Sequence, residues 1–384
     1  MNYSNKVAVT KCGAYNTDRI YDILKGQLSS IGISEADICG KKVVLKPNLL
    51  LGYGLEKAAT THPDVVEAAA RLMKEYGGDV VIAESPGGIY SEKTLSSIYR
   101  TTGIENAAER AQVSLNYDVS ACDMHLPDGK TAKSLSIIKP IYDSEIIVNL
   151  CKLKSHSLAG MTCASKNLFG SIPGITKFEM HARFKNPDDF MSMLVDLNVR
   201  LREGRRIINI CDAVMCMEGD GPSAGKPKFG GLIISSENQF ALDLLAAEII
   251  GLSGKVKLLD CAIGRGLCPG SFKKLDIICD GASATDAESV IDDIRIRNFA
   301  PPGTKIAKKF DLIPPFLQPR PMIDKSICKG CGVCVRSCPQ KTIVLKNRKA
   351  HINPDKCIRC YCCQELCEFK AVKIKKSFIY RVFQ

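Results

Sequence analysis

The sequence predicts an α/β fold in two parts: a large domain with a mostly parallel sheet, followed by a small, cysteine-rich α+β domain. Short β-branched runs alternate with helical stretches over the first 300 residues, a pattern typical of parallel strands joined by helices. A proline-rich stretch interrupts this alternation, and two cysteine runs with identical spacing follow it. We therefore place the large domain at 1–299, a linker at 300–322, the small domain at 323–376 and a tail at 377–384.

Apolar runs of strand length alternate with longer stretches of helical character. The predicted strands are 6–10, 42–46, 79–84, 145–150, 206–211, 230–234 and 275–279. The predicted helices are 18–30, 63–76, 92–102, 161–169, 187–203 and 239–250. Helix 63–76 has the clearest ends, because Pro63 suits the first helical position and Gly77 with Gly78 stops the helix. The prolines of the linker restrict the backbone, which predicts a semi-rigid tether.

The composition indicates a protein of a reducing compartment. With 384 residues and 45% hydrophobic content, the chain can bury a sizeable core. Ten of its nineteen cysteines are scattered over the first 300 residues, many inside apolar runs, which is typical of packed, reduced thiols. The N-terminal residues lack the apolar core of a signal peptide, and no apolar run approaches the roughly 18 residues of a membrane span. These features predict a cytoplasmic protein.

Eight of the nine C-terminal cysteines form two runs with the spacing Cys-x2-Cys-x2-Cys-x3-Cys. Such a run wraps a [4Fe–4S] cube, and in two-cluster proteins the fourth cysteine of each run binds the other cube. Paired Cys-x2-Cys units also form zinc sites, an alternative that two four-cysteine runs disfavour. Cys362 is a ninth thiol that the pattern does not use. The pattern assigns Cys328, Cys331, Cys334 and Cys367 to one cluster, and Cys357, Cys360, Cys363 and Cys338 to the other.

This C-terminal segment resembles a bacterial-type two-cluster ferredoxin. The resemblance implies a ferredoxin-like α+β domain that carries single electrons, and its clusters suggest an anaerobic organism. Pro339 follows the first run as the ferredoxin pattern requires. Glu368 replaces the second proline, which loosens the turn after Cys367 without removing a ligand.

The positive charge of the chain is concentrated in its C-terminal part. Residues 1–300 hold 35 Lys and Arg against 36 Asp and Glu, whereas residues 301–384 hold 18 against 5, which gives the whole chain its net charge of +12. Such a surface can steer an acidic electron carrier towards the clusters. Nucleic acid is the competing partner, but no nucleic-acid motif accompanies the basic residues and aromatic residues are few.

Polar and ionisable residues stand at the ends of four predicted strands. Ligands of open parallel sheets bind beyond the carboxyl ends of the strands, so we expect these residues to line one crevice. Three of the strand ends supply Lys46 with Asn48, then Glu84, and then Asp212. The glycine pattern of a dinucleotide site and the complete phosphate-loop motif are both missing, so neither NAD nor ATP is expected.

The segment after strand 145–150 is the most informative of the four. Three of its residues point to one side of an extended chain, and two more lie one above the other on the predicted helix 161–169. These residues are Lys152, Lys154, His156, Thr162 and Lys166. Cations beside a helix N-terminus favour an anion such as a carboxylate or phosphate. The alternative is a solvated strand end whose lysines form ion pairs with Glu84 and Asp212.

A metal held by His156, Glu84 and Asp212 is compatible with the residue types, although no ligand spacing requires it. Cys163, near the start of the predicted helix, could be a reactive thiol, but a packed thiol is the simpler interpretation.

The remaining histidines of the large domain suit structural positions. His62 precedes Pro63 and suits a helix entry, while His125 and His181 suit the surface. None of the three is a candidate for proton transfer.

Five segments within residues 40–255 resemble, in order, the family catalogued as domain of unknown function 362. They are KPNLL, THPDVVEAA, GGDVVIAESPGG, VNLCKLKSHSLAGMTCASKNLFGSIPG and CDAVMCMEGDGP. Many members of this family carry a two-cluster ferredoxin tail, so the resemblance implies an iron–sulfur protein of anaerobic metabolism without naming a reaction. The positions shared with the family coincide with the crevice: Lys46, Asn48, Glu84, Lys154, His156, Lys166, Asn167 and Asp212.

Two functional hypotheses lead, and a third, a non-redox transferase whose clusters are only structural, ranks below them because two clusters are more than a segment of about sixty residues needs for support. In the first, the chain is an iron–sulfur oxidoreductase whose clusters pass single electrons to a substrate in the crevice. Lys152, Lys154 and Lys166 would hold the anionic group of the substrate. His156, with Glu84 or Asp212 setting its tautomer, would supply protons near neutral pH. In the second hypothesis, the chain is an electron-transfer subunit or maturation partner that docks on another protein and performs no chemistry.

Overall fold

A computed structural model describes residues 3–174, 176–302 and 319–375. The large domain is a mixed, mostly parallel sheet of ten strands with helices on both faces. Its strands are β1 (Lys6–Lys11), β2 (Lys42–Lys46), β3 (Asp79–Ile82), β4 (Ser114–Leu115), β7 (Ile146–His156), β8 (Gly160–Thr162), β9 (Arg206–Glu218), β10 (Lys226–Ser236), β11 (Asp276–Cys279) and β12 (Ala282–Ser283). A separate hairpin pairs β5 (Ala121–His125) with β6 (Ser134–Ile138). The α/β prediction is confirmed.

The strand order is β12-β11-β1-β10-β9-β7-β2-β3-β4, with β8 paired to β7. Five adjacent strands, from β9 to β4, run parallel to one another. The strand β10 runs antiparallel to both of its neighbours, and β8 and β12 are also antiparallel. The carboxyl ends of β2, β3, β7 and β9 therefore meet at one edge of the sheet.

Helices cover the two faces of the sheet in separate groups. One face packs against the first helices of the chain, and the other against the later ones. The helices are α1 (Thr17–Ile31), α2 (Glu35–Ile38), α3 (Pro63–Glu75), α4 (Glu92–Thr101), α5 (Ile104–Ala111), α6 (Lys139–Tyr142), α7 (Ala164–Asn167), α8 (Thr176–Arg183), α9 (Pro187–Arg202), α10 (Gln239–Ile249), α11 (Lys257–Gly264) and α12 (Ala287–Ile294). Alternate residues of a strand serve opposite faces, as when Val43 and Leu45 join one core and Val44 the other.

Two sequence predictions about local structure are wrong, and both concern the crevice. The strands β7 and β9 do not end at 150 and 211 but continue to His156 and Glu218. Charged residues normally mark a strand end, but here Lys152 and Asp212 are cross-strand partners that neutralise each other. The predicted helix 161–169 is instead the strand β8, the single turn α7 and a short 3₁₀ turn.

The small domain consists of two short antiparallel pairs and two helical turns. The strand β13 (Arg320–Ile323) pairs with β16 (Val372–Lys375), and β14 (Ile343–Lys346) pairs with β15 (Lys349–Ile352). The turns α13 (Val333–Arg336) and α14 (Cys362–Glu365) each begin one residue after the residue that follows the second cysteine of a run, Gly332 or Tyr361. Gly332 and Tyr361 occupy equivalent left-handed positions, so the doubled sequence run is also a structural repeat.

The predicted linker and tail fall mostly outside the described residues. Of the linker 300–322, residues 303–318 are not described, while Arg320 to Met322 belong to β13 and so pair within the small domain. In the C-terminal segment, β16 pairs with β13, and 376–384, which include the predicted tail, lie outside the described residues. Within the described part of the chain, no helix has the length and apolar composition needed to cross a bilayer.

Candidate functional site

A cavity of about 90 Å³ lies where the edge of the large sheet meets the small domain. It has room for several waters or a small organic anion. Its polar lining comes from both domains: Asn48, Glu84, Ser85, Lys154, His156, Thr162, Lys166, Asn167, Lys177, His181, Cys362 and Glu365. Seven of these residues were among the crevice residues predicted from the sequence. The cavity therefore unites most of the predicted crevice with a wall that belongs to the second cysteine run.

His156 ends β7 and is fully buried at the cavity. Its Nδ1 accepts hydrogen bonds from the backbone N–H groups of Leu158 at 3.1 Å and Ala159 at 3.2 Å. The proton of the neutral ring must therefore sit on Nε2, which faces the cavity. Burial, and then the charges of Lys166 and Lys154, hold the pKa of His156 well below its usual range. The expectation that His156 titrates near neutral pH is wrong, because its surroundings disfavour the imidazolium.

Three lysines supply the positive charge of the cavity. Lys154 donates to the Asn48 side chain at 2.9 Å and to the Ala59 carbonyl at 2.6 Å. Lys177 donates to the carbonyl of Ser85. Burial lowers the pKa of Lys154 and of Lys177 to about 7, and it also lowers the pKa of Lys166. The groups that titrate near neutrality at this site are thus lysines.

Glu365 brings a carboxylate from the small domain into the cavity. It ends α14, between the cluster residues Cys363 and Cys367, and its Oε1 lies 3.2 Å from Nε2 of His156. The two atoms are within hydrogen-bonding distance, but the N–H of the ring does not point at the carboxylate oxygen. Nε2 therefore has no well-aligned hydrogen-bond partner among the described residues. Burial raises the pKa of Glu365, and Lys166, Lys154 and Lys177 oppose this effect. Among the described residues of the cavity lining, Glu365 is the one ionisable carboxylate that the small domain supplies.

Lys46 and Glu84 form a buried ion pair beside the cavity, with 0% and 5% of their side chains exposed. Burial lowers the pKa of Lys46 and raises that of Glu84, and their mutual attraction opposes both shifts. Because this pair is internally neutral, the three remaining lysines face a single additional carboxylate, that of Glu365. The lining carries a surplus of up to two positive charges, which favours an anionic ligand.

Amide side chains form a ladder beneath the cavity. Asn48 donates to Asn167 at 2.7 Å, Asn167 to Asn149 at 2.8 Å, and Asn149 to Asn209 at 2.8 Å. The ladder links β2, α7, β7 and β9, and Lys154 is anchored to its first member. Asn48, which is itself held by Asn167, therefore helps to hold Lys154 in place, and both amides also line the cavity.

Lys152 and Asp212 lie apart from the cavity and form a second polar cluster. Lys152 donates to Asp212 at 2.8 Å and to the Tyr15 hydroxyl at 2.8 Å. Tyr15 donates to Asp212 at 2.8 Å and stacks on His62 with ring centroids 3.6 Å apart. Asp212 therefore does not set the tautomer of His156, and Lys152 is not part of the anion site. The alternative of lysine–carboxylate ion pairs is right for this pair, except that the pair is buried rather than solvated.

A metal site made of His156, Glu84 and Asp212 does not form. Glu84 pairs with Lys46 and Asp212 with Lys152, and these three residues are not among the groups of close metal-ligating atoms in the described part of the chain. The ion pairs occupy the oxygen atoms that such a metal would need.

The other histidines divide between structural and surface roles. His62 accepts from the backbone N–H of Asp64 at the start of α3, as expected for a helix entry. His125 is exposed. The expectation that His181 is a surface residue is wrong: it is buried and stacks on Phe190 with centroids 4.1 Å apart, and burial lowers its pKa to about 3. Its imidazole is a neutral part of the cavity wall.

The cysteines of the small domain fit two [4Fe–4S] clusters. Burial raises the pKa of Cys334 to about 11, and the next contributions come from Cys331, Cys367 and Cys328, which is the first predicted ligand set. Cys363 interacts with Cys360, Cys357 and Cys338 of the second set, and also with Cys334 of the first set. The two predicted ligand sets therefore lie close together, and the assignment of each cysteine to one cluster stays a prediction.

Backbone N–H groups and sulfur spacing support the same cofactor. The N–H of Thr342 points to Sγ of Cys338 at 3.3 Å, and that of Ala371 to Sγ of Cys367 at 3.2 Å, at equivalent positions of the two runs. Such donors stabilise cluster thiolates. No three of these cysteines bring their sulfurs within 4.8 Å of one another in the described structure, whereas tetrahedral zinc would need about 3.8 Å. The residues fit iron–sulfur cubes rather than zinc.

Four residues of the site were not predicted from the sequence: Lys177, Ser85 and Glu365 at the cavity, and Asn149 beneath it. Lys177 lies on α8, away from any predicted strand end. Glu365 was visible as an acidic residue inside a cysteine run, but nothing in the run shows that it faces the large domain. Cys362, the ninth thiol, is buried at the cavity.

Family comparisons agree with the two-part architecture. A family model described as a domain of unknown function (DUF362) matches residues 43–248, and a 4Fe-4S dicluster domain matches residues 320–368. The first match includes every large-domain side chain of the candidate site, and the second includes all eight cluster cysteines.

Among curated proteins, a thylakoid-associated protein of Synechocystis sp. is 32% identical over 219 residues. The match covers 56% of this chain and 64% of that protein, so it spans less than two thirds of the relative. An uncharacterized ferredoxin of Methanocaldococcus jannaschii is 38% identical over 56 residues, which is 14% of this chain and 90% of that protein. Among solved structures, the lactate racemase apoprotein from Thermoanaerobacterium thermosaccharolyticum is 15% identical, with a TM-score of 0.40, and the match covers 65% of this chain and 58% of that one.

Proposed function

The chain belongs to the family of the domain of unknown function DUF362, and from this premise we propose that it is an iron–sulfur reductase whose small anionic substrate binds in the cavity between its two domains. Its C-terminal domain is an iron–sulfur domain of the ferredoxin type. The clusters held by the eight cysteines supply single electrons. The residues of the cavity supply binding, orientation and protons.

One observation carries this proposal: the second cysteine run forms a wall of the cavity. Cys362 precedes the ligand Cys363 directly, and Glu365 stands two residues after it, and both line the same space as Lys154 and His156. A substrate in this space would touch the protein segment that holds a cluster. Gln364 also donates to the Asp220 carbonyl at 3.1 Å, which fixes this segment against the large domain.

The charge of the lining selects the substrate class. The surplus of ammonium groups suits a small carboxylate or phosphate, which would be held by Lys154, Lys166 and Lys177. The hydroxyls of Ser85 and Thr162 have no hydrogen-bond partner among the described residues, and they are buried. They offer further polar contacts that a polar ligand would satisfy.

The acid–base roles follow from the pKa values. A reduction consumes protons as well as electrons, and Lys154 and Lys177, each with a pKa lowered to about 7 by burial, can release a proton at neutral pH. His156 stays neutral and donates its Nε2–H to the substrate. Thus the proton donor is a lysine, and His156 orients the bound group.

An acidic electron carrier is the partner that the charge of the small domain favours, and we place the reaction in the cytoplasm of an anaerobe. Residues 301–384 carry 18 basic against 5 acidic side chains. Such a surface increases the rate of encounter with an acidic protein at low ionic strength.

The test measures electron delivery directly. The protein is loaded with clusters, reduced anaerobically, and mixed with a panel of small keto acids, unsaturated carboxylates and phosphate esters, while the visible absorption of the clusters reports reoxidation. We expect at least one acceptor to reoxidise the wild type. In Lys154→Ala and His156→Ala the rate should fall at least about 100-fold with unchanged iron content, since each variant removes a direct contact to the reacting group.

Lys25→Ala is the matched control, because Lys25 lies in an exposed ion pair with Glu75 at 2.8 Å, far from the cavity in the fold. It should behave as the wild type. Full reoxidation rates in both cavity variants would contradict the assignment of the cavity as the reaction site.

The second candidate is an electron-transfer subunit that docks on another protein. It is favoured by one observation: the carboxylate of Glu365 already lies against His156, so the contact could serve only to hold the two domains together. Under this hypothesis no small anion reoxidises the clusters, whereas a partner protein does.

A further inference from the structure

Three cysteines outside the ferredoxin runs meet in the core of the large domain. We propose that Cys151, Cys163 and Cys211 form a binding site for a thiophilic d¹⁰ cation, Zn²⁺ or Cu⁺, independent of the iron–sulfur clusters. The sulfur of Cys163 lies 3.8 Å from that of Cys151 and 3.5 Å from that of Cys211. All three sulfurs lie within 4.8 Å of one another. We call this set the tri-cysteine cluster.

The geometry suits a metal with short bonds to sulfur. A metal–sulfur bond of about 2.3 Å places tetrahedral sulfur ligands about 3.8 Å apart, and trigonal ligands about 4.0 Å apart. The two distances from the sulfur of Cys163 are close to these spacings, so an ion would fit between the sulfurs after small side-chain movements. All three ligands are sulfur, which selects thiophilic ions over magnesium, calcium or manganese.

Separate parts of the fold deliver the three thiols. Cys151 on β7 and Cys211 on β9 are register partners in neighbouring parallel strands, and Cys163 stands at the start of α7. The segment after Cys163 is held by the carboxylate of Asp243, which accepts from the N–H of Ala164 at 2.7 Å and from that of Ser165 at 3.1 Å. The ligand atoms are thus positioned by strands and by a second layer of hydrogen bonds, as in structural metal sites.

Charge is the main cost of such a site, because three thiolates with a divalent ion leave one negative charge in the interior. Cys151, Cys163 and Cys211 are all buried, with at most 1% of each residue exposed. The ammonium of Lys152 acts on Cys211, and that of Lys46 acts on Cys151, but each is already paired with a carboxylate, and Asp212 opposes the effect of Lys152 on Cys211. The lysines therefore offset little of this cost, and the bonds between the metal and the three sulfurs must compensate for it.

The proposed ion would brace the floor of the cavity. Cys163 lies directly after Thr162 and three residues before Lys166, both of which line the cavity. A bound ion would tie this segment to β7 and β9. The simpler interpretation, three neutral thiols packed as small apolar groups, predicts the same fold without any ion.

The experiment compares metal content in the full-length, cluster-loaded protein. Wild type, the triple variant Cys151→Ala/Cys163→Ala/Cys211→Ala, and Cys216→Ala are produced in medium supplied with zinc and copper, purified anaerobically with a thiol reductant, and analysed by elemental mass spectrometry. Cys216 is the matched control, because it is a buried thiol on β9 that bonds to the Ala213 carbonyl and lies outside the triangle.

We expect about one equivalent of zinc or copper in the wild type and in Cys216→Ala, and its complete loss in the triple variant with iron unchanged. The element that is found distinguishes the two ions. Wild type without either metal, or equal amounts in wild type and triple variant, would overturn the proposal.

X-ray absorption at the edge of the bound metal in the wild type tests the proposed site even if the triple variant does not fold. A shell of three sulfurs at about 2.3 Å supports the tri-cysteine site. A shell dominated by nitrogen and oxygen, or a four-sulfur shell as expected for zinc misplaced in the ferredoxin runs, refutes it.

Discussion

The buried ion pair of Lys46 and Glu84 gives the sharpest test of the physical reasoning. In Lys46→Met, Glu84 keeps its place in the interior but loses the ammonium that pairs with it. Breaking a buried ion pair from one side costs about 3–5 kcal/mol, because one charge or one unsatisfied acid stays buried. Lys177 also acts on Glu84, so we expect the lower end of the range, about 3 kcal/mol.

Chemical denaturation of the cluster-loaded protein, followed anaerobically by far-UV circular dichroism, measures this loss. With an m-value of about 3 kcal/mol/M, a loss of 3 kcal/mol lowers the urea midpoint by about 1 M. The exposed pair of Lys25 and Glu75 is the control: its side chains are 51% and 48% exposed, and Lys25→Met should leave the urea midpoint close to that of the wild type.

The double variant Lys46→Met/Glu84→Gln should recover part of the stability, since it leaves a neutral amide in place of an unpaired acid. If the urea midpoint of Lys46→Met is no lower than that of Lys25→Met, the claim that the buried ion pair contributes more to stability than the exposed one is refuted.

Three further outcomes are expected. Burial lowers the pKa of Lys154 and Lys177 to about 7, from about 10.4 in an unfolded chain, so the unfolded state binds more protons between these two pH values. The free energy of unfolding should therefore rise with pH from about 7 to about 10.4. Binding of an anion such as pyrophosphate, measured by calorimetry, should weaken as pH rises through 7, because the lysines lose their charge. Gly170→Ala should lower the urea midpoint, because its Cβ would overlap the Glu84 carboxylate and the Lys46 ammonium; Gly264→Ala, with open space around the new Cβ, should not. Anaerobically purified protein should contain about eight iron and eight acid-labile sulfide per chain, with zinc in their place as the contrary result in elemental analysis.

Sequence periodicity predicted the α/β architecture, because buried strands and amphipathic helices leave a local record. It failed where a tertiary partner decides the outcome. Lys152 looks like a strand end in the sequence, but Asp212 on the neighbouring strand neutralises it, and β7 continues. The helix predicted at 161–169 gave way to a strand and two short turns, and the helix-dipole argument for an anion site fails with it, since α7 has only four residues.

In the candidate site, too, local features were predictable from the sequence and tertiary contacts were not. Residue type and strand order correctly brought together Glu84, Lys154, His156 and Lys166. The titration of His156 was misjudged because it depends on burial and on neighbouring lysines, which a sequence does not reveal. Glu365 could not be placed at all, because its position depends on how the two domains dock. The domain boundaries and the role of each cavity residue remain predictions.

The position of Glu365 makes the cavity dependent on the metallocentres. The wall that this residue forms is a short turn that contains the predicted ligand Cys363 and lies close to the predicted ligand Cys367. Damage by oxygen that dismantles the clusters would remove the metal bonds of these two cysteines, leaving contacts such as the hydrogen bond of Gln364 to the Asp220 carbonyl to hold the wall. Under the proposed reductase function, a protein that has lost its iron would then have a less firmly held cavity wall as well as no capacity for electron transfer.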